Sequence, residues 1–229
     1  MNTTDKCRIC GNEISSFMTF GNMPIANGFL KKDQFDNEYF FEMMPSFCEC
    51  CFAFQLIGQP DAKLMFNENY PFFSSLSKYM QQHFKKFADD LINNYLEDKE
   101  NSFVIELGSN DGIMLKHFMN SGISHLGIEP SSNVAQIAIE NGINTISKFF
   151  NESLADQILS EKGNANIIFA ANVMCHIPDL NSVFAGIAKL LGNKGVLVFE
   201  DPYLGDMLEK VSYDQRYDEH VYIFSASSV

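Results

Sequence analysis

The sequence lacks a long hydrophobic run and is short of basic residues. No apolar stretch among its 229 residues approaches the roughly 20 that a membrane-spanning helix needs. The first ten residues contain no apolar segment of the secretory kind, so we expect a cytoplasmic protein. Lys and Arg total 16 against 29 Asp and Glu, and the resulting net charge of −13 repels phosphate backbones. We therefore predict neither a membrane nor a nucleic-acid partner, which leaves a small-molecule substrate.

Five of the six cysteines fall within the first 51 residues. They include two C-x2-C pairs, Cys7 with Cys10 and Cys48 with Cys51, separated by 37 residues. In a reducing compartment such clustering is more typical of metal binding than of disulfides, and two pairs complete the tetrahedral thiolate shell of a structural zinc. Cys50 could replace Cys48 or Cys51 as a ligand. The alternative is a set of free, buried cysteines.

Apolar runs alternate with helical patterns from about residue 100 onward. The runs predict five strands, at Phe103–Leu107, His125–Glu129, Asn144–Phe149, Asn166–Ala171 and Gly195–Glu200. Strands this apolar, separated by helices, are typical of a largely parallel sheet covered on both faces. An apolar stripe at helical spacing predicts a helix over residues 75–97. We predict a zinc-binding module over 1–65, a helical linker over 66–99 and a Rossmann-like α/β core over 100–229.

A glycine-containing loop follows the first predicted strand and opens a helix. Glu106–Gly112 reads E-x-G-x3-G rather than the dinucleotide-binding G-x-G-x-x-G. It is similar to the first motif of class I methyltransferases, with Asn110 in place of the middle glycine. Gly108 has no Cβ and lets a ligand approach the backbone closely. Glu106 and Asp111 suit the cationic methionine end of S-adenosylmethionine better than a pyrophosphate. The alternative is an ordinary crossover between strand and helix.

Two further polar residues end predicted strands. Glu129 lies 21 residues after Gly108, where a carboxylate can accept hydrogen bonds from both hydroxyls of a ribose. Asn172 follows the fourth strand, at the edge of the sheet along which ligands of open α/β folds bind. Both residues are therefore candidates for a cofactor site.

The segment Tyr217–His220 places a phenol, two acids and an imidazole together. Histidine is the usual general base near neutral pH, and Glu219 could orient it. His176 follows the fourth strand and could reach the same pocket, whereas we predict that the neighbouring Cys175 is a packed core thiol. The alternative for the whole segment is a solvated loop.

Together these motifs resemble the nucleotide-sugar C-methyltransferases, which act on deoxy-4-keto sugars. The segment Tyr217–Ser225 is similar to the sequence Y-H-E-H-x-x-Y-F-S that the family usually has there. The resemblance covers nearly the whole chain and is carried by Cys7–Cys10, Cys48–Cys51 with the following Gln55–Leu56, Met23–Leu30, Tyr70–Ser75, Glu106–Gly112, Gly127–Ala135, Ala171–Asn181, Glu200–Tyr203 and Tyr217–Ser225.

The resemblance implies a class I methyltransferase fold with S-adenosylmethionine as cofactor and a structural zinc. It implies that His220 or Tyr217 removes the proton beside the ketone of a nucleotide sugar, most readily a dTDP-linked one, while Glu219 positions His220. The enolate then attacks the methyl group. The expected sugar-pocket residues are His176, Tyr70 and Asn172. The expected cofactor contacts are Glu106, Gly108, Ser109, Asn110, Asp111, Gly112, Glu129, Pro130, Phe149, Phe150 and Asn172.

The sequence departs from the family at three points. Asp218 stands where the family usually has His, and Phe72 stands where many relatives have Tyr, which removes one hydroxyl from the sugar side. Relatives also continue past Val229 with two more strands and a C-terminal domain, so we expect an incomplete chain and a possible C-terminal partner chain. The alternatives to a sugar C-methyltransferase are an O- or N-methyltransferase of another small molecule and a cofactor-binding remnant that needs a partner.

Overall fold

The computed structural model describes residues 5–229 and divides the chain into two compact units. The first unit contains the chain up to Met65 together with Asn172–Leu180 and Glu200–Val229. The second unit contains Phe66–Ala171 and Asn181–Phe199. The chain therefore passes between the units several times, and the domain limits drawn from the sequence at residues 65 and 99 remain a prediction.

Ten strands, seven α-helices and four short 3-10 helices make up the regular structure of the described residues, the 3-10 helices being Lys32–Asn37, Ser74–Leu76, Met174–His176 and Tyr213–Gln215. The strands are β1 Asn22–Pro24, β2 Phe40–Glu42, β3 Pro45–Phe47, β4 Phe54–Leu56, β5 Phe103–Leu107, β6 Ser124–Ile128, β7 Thr145–Ile146, β8 Ala165–Ala171, β9 Leu191–Glu200 and β10 Tyr222–Ile223. The helices are α1 Ala62–Met65, α2 Lys78–Tyr95, α3 Leu115–Asn120, α4 Ser132–Glu140, α5 Glu152–Lys162, α6 Leu180–Leu190 and α7 Leu204–Lys210. Within residues 5–229 none of these helices has the length and apolarity to cross a membrane.

The second unit is built on a five-stranded sheet with the order β7-β6-β5-β8-β9. β5 pairs in parallel with β6 and with β8, and β6 pairs in parallel with β7. Every residue of the central strand β5 is buried, as expected when helices cover both faces of a parallel sheet. The predicted α/β class with a largely parallel sheet is confirmed.

An aromatic pair lies in the core of this unit. The rings of Phe118 on α3 and Phe169 on β8 stack with their centroids 5.3 Å apart and their planes at 21°. Both side chains are fully buried, and the inner face of α2, including Ala88 and Leu91, belongs to the same apolar cluster. The stripe predicted over residues 75–97 is therefore the face of α2 that packs on the core.

The limits of several predicted elements differ from the structure, and the fifth strand, for example, begins at Leu191 rather than at Gly195. α2 begins at Lys78 rather than at residue 75, because the Ser77 side chain caps it by accepting a hydrogen bond from Met80 N. The third strand of the sheet covers Thr145–Ile146 only, instead of Asn144–Phe149. Lys148 N donates to the Ile146 carbonyl and turns the chain away from the sheet, so pairing stops there.

The first unit contains a two-stranded antiparallel sheet, β1-β2, and a three-stranded sheet with the order β10-β4-β3. β10 pairs antiparallel with β4, with Tyr222 opposite Gln55. The buried Arg216 guanidinium lies 4.6 Å from the centre of the Phe54 ring on β4 and donates to the carbonyls of His220 and Val221. The C-terminal strand is thus attached to the cysteine-rich part of the chain.

We expect Phe169→Ala to lower the free energy of unfolding by about 3–5 kcal/mol, because it removes a fully buried ring and leaves a cavity beside Phe118. Urea denaturation followed by circular dichroism measures the change. The control is Tyr79→Ala on α2, whose side chain is 75% exposed and whose loss should cost less than about 0.5 kcal/mol. Equal effects of the two substitutions would contradict this account of the core.

Candidate functional site

The four paired cysteines lie together in the first unit. Cys7 Sγ is 3.5 Å from Cys51 Sγ, and Cys10 Sγ is 3.5 Å from Cys48 Sγ. All four sulfurs lie within 4.8 Å of one another, whereas the exposed Cys50 is outside the group. Four sulfurs bound tetrahedrally at about 2.3 Å from a zinc ion are about 3.8 Å apart. The donor set and its spacing therefore fit one structural zinc, with no position left for a substrate.

Two side-chain amides donate to these sulfurs. Gln55 Nε2 lies 3.0 Å from Cys7 Sγ, and Asn12 Nδ2 lies 3.2 Å from Cys10 Sγ. The hydrogen bonds from Asn12 lower the pKa of Cys10 to about 6, which favours the thiolate that binds metal. Neither contact was predicted, although Gln55 is part of a motif that carries the resemblance and Asn12 lies two residues after Cys10.

The loop after β5 has the left-handed backbone that its glycines permit. The φ angles of Gly108, Asn110 and Gly112 are +65°, +49° and +79°. Asn110 keeps this conformation without a glycine because asparagine tolerates the left-handed region better than other residues. At Gly112 an added Cβ would lie 2.8 Å from Ile143 Cγ1, so no larger residue fits. The asparagine in place of the middle glycine therefore leaves the loop backbone in a glycine-like conformation.

Glu129 follows β6 and turns its carboxylate toward this loop. One oxygen accepts a hydrogen bond from Asn110 N at 2.9 Å, and the other accepts from Ser131 N at 2.8 Å. The side chain is buried. Each carboxylate oxygen has a further lone pair and can accept an additional donor such as a hydroxyl.

Three acids are buried around the loop without a cationic partner among residues 5–229: Glu106, Asp111 and Glu129. Burial, then the charges of Glu129 and Asp111, raise the pKa of Glu106 well above its usual value. Burial likewise raises the pKa of Glu129. In the described chain no hydrogen-bond partner reaches Glu106 Oε2, Asp111 Oδ1 or the buried Ser109 Oγ. Buried polar atoms of this kind fit a ligand that brings positive charge and hydrogen-bond donors.

The segment before α2 is hydrogen-bonded to the same loop. The Asn110 side chain accepts from Ser74 N and donates to the Phe72 carbonyl, and Asp111 Oδ2 accepts from Ser75 N at 3.0 Å. The middle residue of the loop thus has a side chain that holds a neighbouring segment, which a glycine could not do.

Four further predicted site residues belong to this unit: Tyr70, Pro130, Phe149 and Phe150. The Tyr70 carbonyl accepts from Asn133 Nδ2, and its ring contacts the Phe72 ring at 5.7 Å. Pro130 is half-buried beside Glu129. Phe149 is exposed, whereas the tip of the Phe150 ring lies against α6 at Gly186. Whether either ring borders an adenine stays a prediction.

In the first unit two imidazoles and a phenol lie together. His220 Nδ1 is 2.6 Å from the Gln215 carbonyl, so Nδ1 carries the proton and Nε2 carries the lone pair. The His220 ring centre is 5.1 Å from that of His176 and 4.4 Å from that of Tyr217.

Burial lowers the pKa of His220, and burial with the charge of His220 lowers the pKa of His176 to about 3. Burial raises the pKa of Tyr217 above its usual value. The imidazoles are therefore neutral, and the phenol keeps its proton.

The two acids before His220 are held by a turn near the N-terminus. Ala26 N donates to Asp218 Oδ1 at 3.2 Å, and Asn27 Nδ2 donates to Glu219 Oε1 at 2.6 Å. Burial raises the pKa of Glu219 to about 7 and also raises that of Asp218. Asn27 is a contact that we did not predict, although its motif was among those that carried the resemblance.

Asn172, Cys175 and Asp201 also belong to this unit. Asn172 is exposed, has a left-handed φ of +55° and donates its N–H to the Glu200 carbonyl at 2.7 Å. Cys175 is fully buried, as predicted for a core thiol. Its thiol adjoins the Asp201 carboxyl group, whose pKa is raised by burial to about 6.

Two family models match the chain. A model described as "Methyltransferase domain" matches residues 79–229, which is more than half of the sequence. A model described as "Putative zinc binding domain" matches residues 7–66. The chain therefore belongs to the methyltransferase domain family and has a cysteine-rich zinc-binding domain before it. The prediction of an S-adenosylmethionine-dependent methyltransferase fold with a structural zinc module is confirmed.

A curated relative extends the similarity over both parts of the chain. C-methyltransferase NovU of Streptomyces niveus is 28% identical over 227 residues, which is 98% of this chain and 54% of NovU. The chain thus spans about half the length of that relative.

Two solved structures share lower sequence identity with this chain. Magnesium protoporphyrin IX methyltransferase (ChlM) of Synechocystis PCC 6803, solved with bound SAH, is 14% identical with a TM-score of 0.49, covering 65% of this chain and 68% of ChlM. DesVI of Streptomyces venezuelae is 16% identical with a TM-score of 0.44, covering 55% of this chain and 54% of DesVI.

We expect Cys48→Ser to reduce the bound zinc from about one ion per chain to almost none, because it removes one of four tetrahedral ligands. Elemental analysis of the purified protein measures the ratio. Cys50→Ser is the matched control, since Cys50 is near in sequence but outside the sulfur group, and it should retain the zinc. Loss of zinc from the Cys50 variant alone would reverse the ligand assignment.

Proposed function

We propose that this chain is the core of an S-adenosylmethionine-dependent C-methyltransferase acting on a nucleotide-linked deoxy-4-keto sugar. The observation that carries the proposal is the state of His220, a buried neutral imidazole whose Nδ1 proton is held by the Gln215 carbonyl. Carbon methylation needs a base that removes a proton from carbon, whereas many O- and N-methylations need only a placed nucleophile. The C-methyltransferase relative supports the same reaction.

The buried acids of the second unit support the cofactor assignment. S-adenosylmethionine supplies a methyl group on a positively charged sulfur, and its amino-acid end brings an ammonium. In the proposed complex Glu106 and Asp111 offset this positive charge through their unpartnered oxygens. Glu129 holds the ribose hydroxyls with the remaining lone pairs of its carboxylate. A buried carboxylate without a partner is costly, and a cationic ligand relieves that cost.

His220 is the better candidate for the base of the two that the resemblance offers. Its Nε2 has the lone pair because Nδ1 donates to a carbonyl. Tyr217 would first have to lose a proton, and burial makes that loss harder. In the proposed reaction His220 takes the proton from the carbon beside the ketone, and the electron pair of the C–H bond moves into the enolate. A ketone makes the neighbouring C–H acidic enough for such a base.

The Gln215 carbonyl holds the ring of the base, and in this proposal Glu219, held by Asn27, positions the segment that carries it. The short contact between Asn27 Nδ2 and Glu219 Oε1 fixes the acid that precedes His220. His176 stacks beside the base and limits how its ring can turn. With these groups in place the enolate carbon forms a bond to the methyl carbon, the carbon–sulfur bond breaks, and the sulfur keeps the electron pair. In this proposal Tyr70 and Asn172 line the side of the sugar.

We expect Glu129→Gln to weaken binding of S-adenosylhomocysteine about 10- to 100-fold, because hydrogen bonds to a charged group contribute about 1.5–3 kcal/mol. Isothermal titration calorimetry measures the affinity. Glu140→Gln is the matched control, since Glu140 is exposed at the end of α4 and should bind the ligand as the unchanged chain does. A folded Glu129 variant with undiminished affinity would remove the ribose contact from the proposal.

We expect the chain to exchange the proton beside the ketone of a dTDP-4-keto-deoxy sugar with deuterium from solvent when no methyl donor is present. His220→Gln should slow this exchange about 10²- to 10⁴-fold, the usual contribution of a general base. Proton NMR in deuterated buffer measures the rate, and His83→Gln on α2 is the control that should leave it unchanged. Calorimetric binding of the sugar with no exchange above the buffer rate would contradict C-methylation and favour an O- or N-methyltransferase.

A further inference from the structure

A second group of metal-binding side chains lies in the first unit, apart from the four paired cysteines. The Sγ of Cys175 and a ring nitrogen from each of His176 and His220 all lie within 4.8 Å of one another. One thiolate and two imidazoles are ligands that zinc and similar transition metals prefer, whereas calcium and magnesium prefer oxygen. We propose that these three residues form a second site for a zinc-like divalent cation.

The geometry suits a tetrahedral ion after small side-chain rotations. Zinc holds sulfur at about 2.3 Å and nitrogen at about 2.0–2.1 Å, which separates neighbouring ligand atoms by about 3.4–3.6 Å. The three atoms must therefore move together by at most about 1 Å, which χ-angle changes can supply without moving the backbone. The two imidazole planes are already inclined by only 25°.

The hydrogen bond of His220 is the kind that metal-bound histidines make. Its Nδ1 donates to the Gln215 carbonyl at 2.6 Å. Metal-bound histidines almost always donate the other ring N–H to a carbonyl or carboxylate, which fixes the tautomer and aims the free nitrogen at the metal. His220 is thus already in its ligand tautomer.

Asp201 supplies an oxygen next to the proposed site. Its carboxyl group is buried beside the Cys175 thiol. When the cation binds, a metal–sulfur bond forms, the S–H bond breaks, and the proton leaves to Asp201 or to solvent without any transfer of electrons. The Asp201 carboxylate lies outside the group of three ligand atoms, so a water molecule would fill the fourth position of a tetrahedral ion.

The consequence for catalysis rests on the proposed function. A cation bound at His220 Nε2 occupies the lone pair that the proposed base needs, so the metal-bound form cannot remove the substrate proton. Cys175 adds a sulfur ligand to the two imidazoles, and sulfur and imidazole nitrogen are both ligands that zinc prefers. The structural zinc of the four-cysteine group stays in place throughout.

The test uses the full chain with its four-cysteine zinc bound, titrated with Co²⁺ as a spectroscopic probe. We expect one further equivalent to bind and to give a sulfur-to-cobalt charge-transfer band, while elemental analysis shows that the first zinc is retained. Cys175→Ser should abolish this band and weaken binding by more than the about 10- to 100-fold that loss of an outer-shell partner causes. Cys50→Ser, which also removes one thiol, should bind the second equivalent normally.

Failure of the unchanged chain to bind the second equivalent would overturn the site, as would a Cys175→Ser variant that binds cobalt with the band intact. If that variant does not fold, as judged by circular dichroism, His220→Gln takes its place and should weaken the second equivalent in the same way. Deuterium exchange then separates the two proposals. A second ion that binds without slowing exchange would keep the metal site and overturn His220 as the base.

Discussion

The second unit buries negative charge that no ion pair within residues 5–229 neutralises, and its loop is arranged around that charge. Glu106, Asp111 and Glu129 lie at the ends of β5 and β6 with no cationic side chain paired to them among the described residues. Desolvating a carboxylate costs several kcal/mol, so backbone N–H groups and raised pKa values must bear that cost while no ligand is bound. The left-handed loop supplies one of those N–H groups, from Asn110 to Glu129. The left-handed conformation of the loop therefore helps to stabilise the buried charge of Glu129.

In the first unit a series of contacts connects the sulfur cluster to the proposed base. Gln55 donates to Cys7 Sγ from β4, and β4 pairs with β10 directly after His220. Arg216 lies over Phe54 of the same strand and donates to the His220 carbonyl. A structural zinc here would thus stabilise more than its own loops. It would also fix the strand against which the segment carrying His220 is built, although the metal is not needed for the chemistry itself.

The strands of the sheet were predicted well because each buried strand appears in the sequence as an apolar run between turn residues. All five residues of β5 match the predicted strand, since an apolar run between turn signals has few other uses in an α/β fold. The end of the third strand was wrong because a single hydrogen bond after Ile146 decides it, and periodicity does not report such a bond. The left-handed φ at Asn110 was likewise consistent with the motif in which asparagine replaces glycine.

Contacts between distant parts of the chain could not be predicted in this way. Asn27 and Glu219 are 192 positions apart, and only folding shows that an amide from the N-terminal turn meets the acid before His220. Cys175 was correctly predicted as buried, but nothing in its own sequence context shows that His220 lies within reach of its sulfur. Reactive groups contributed by separate segments are therefore the part of a site that a single sequence conceals most.

The contacts of Asp218 likewise could not be predicted from its residue type. The family usually has His at this position, so the substitution suggested a change in chemistry. In the structure Asp218 is buried and accepts the N–H of Ala26, one residue before the amide that holds Glu219. An acceptor is what that N–H requires, and a carboxylate satisfies it at least as well as an imidazole nitrogen. Asp218 thus contacts the N-terminal turn, whereas the proton on His220 Nδ1 is held by a different group, the Gln215 carbonyl.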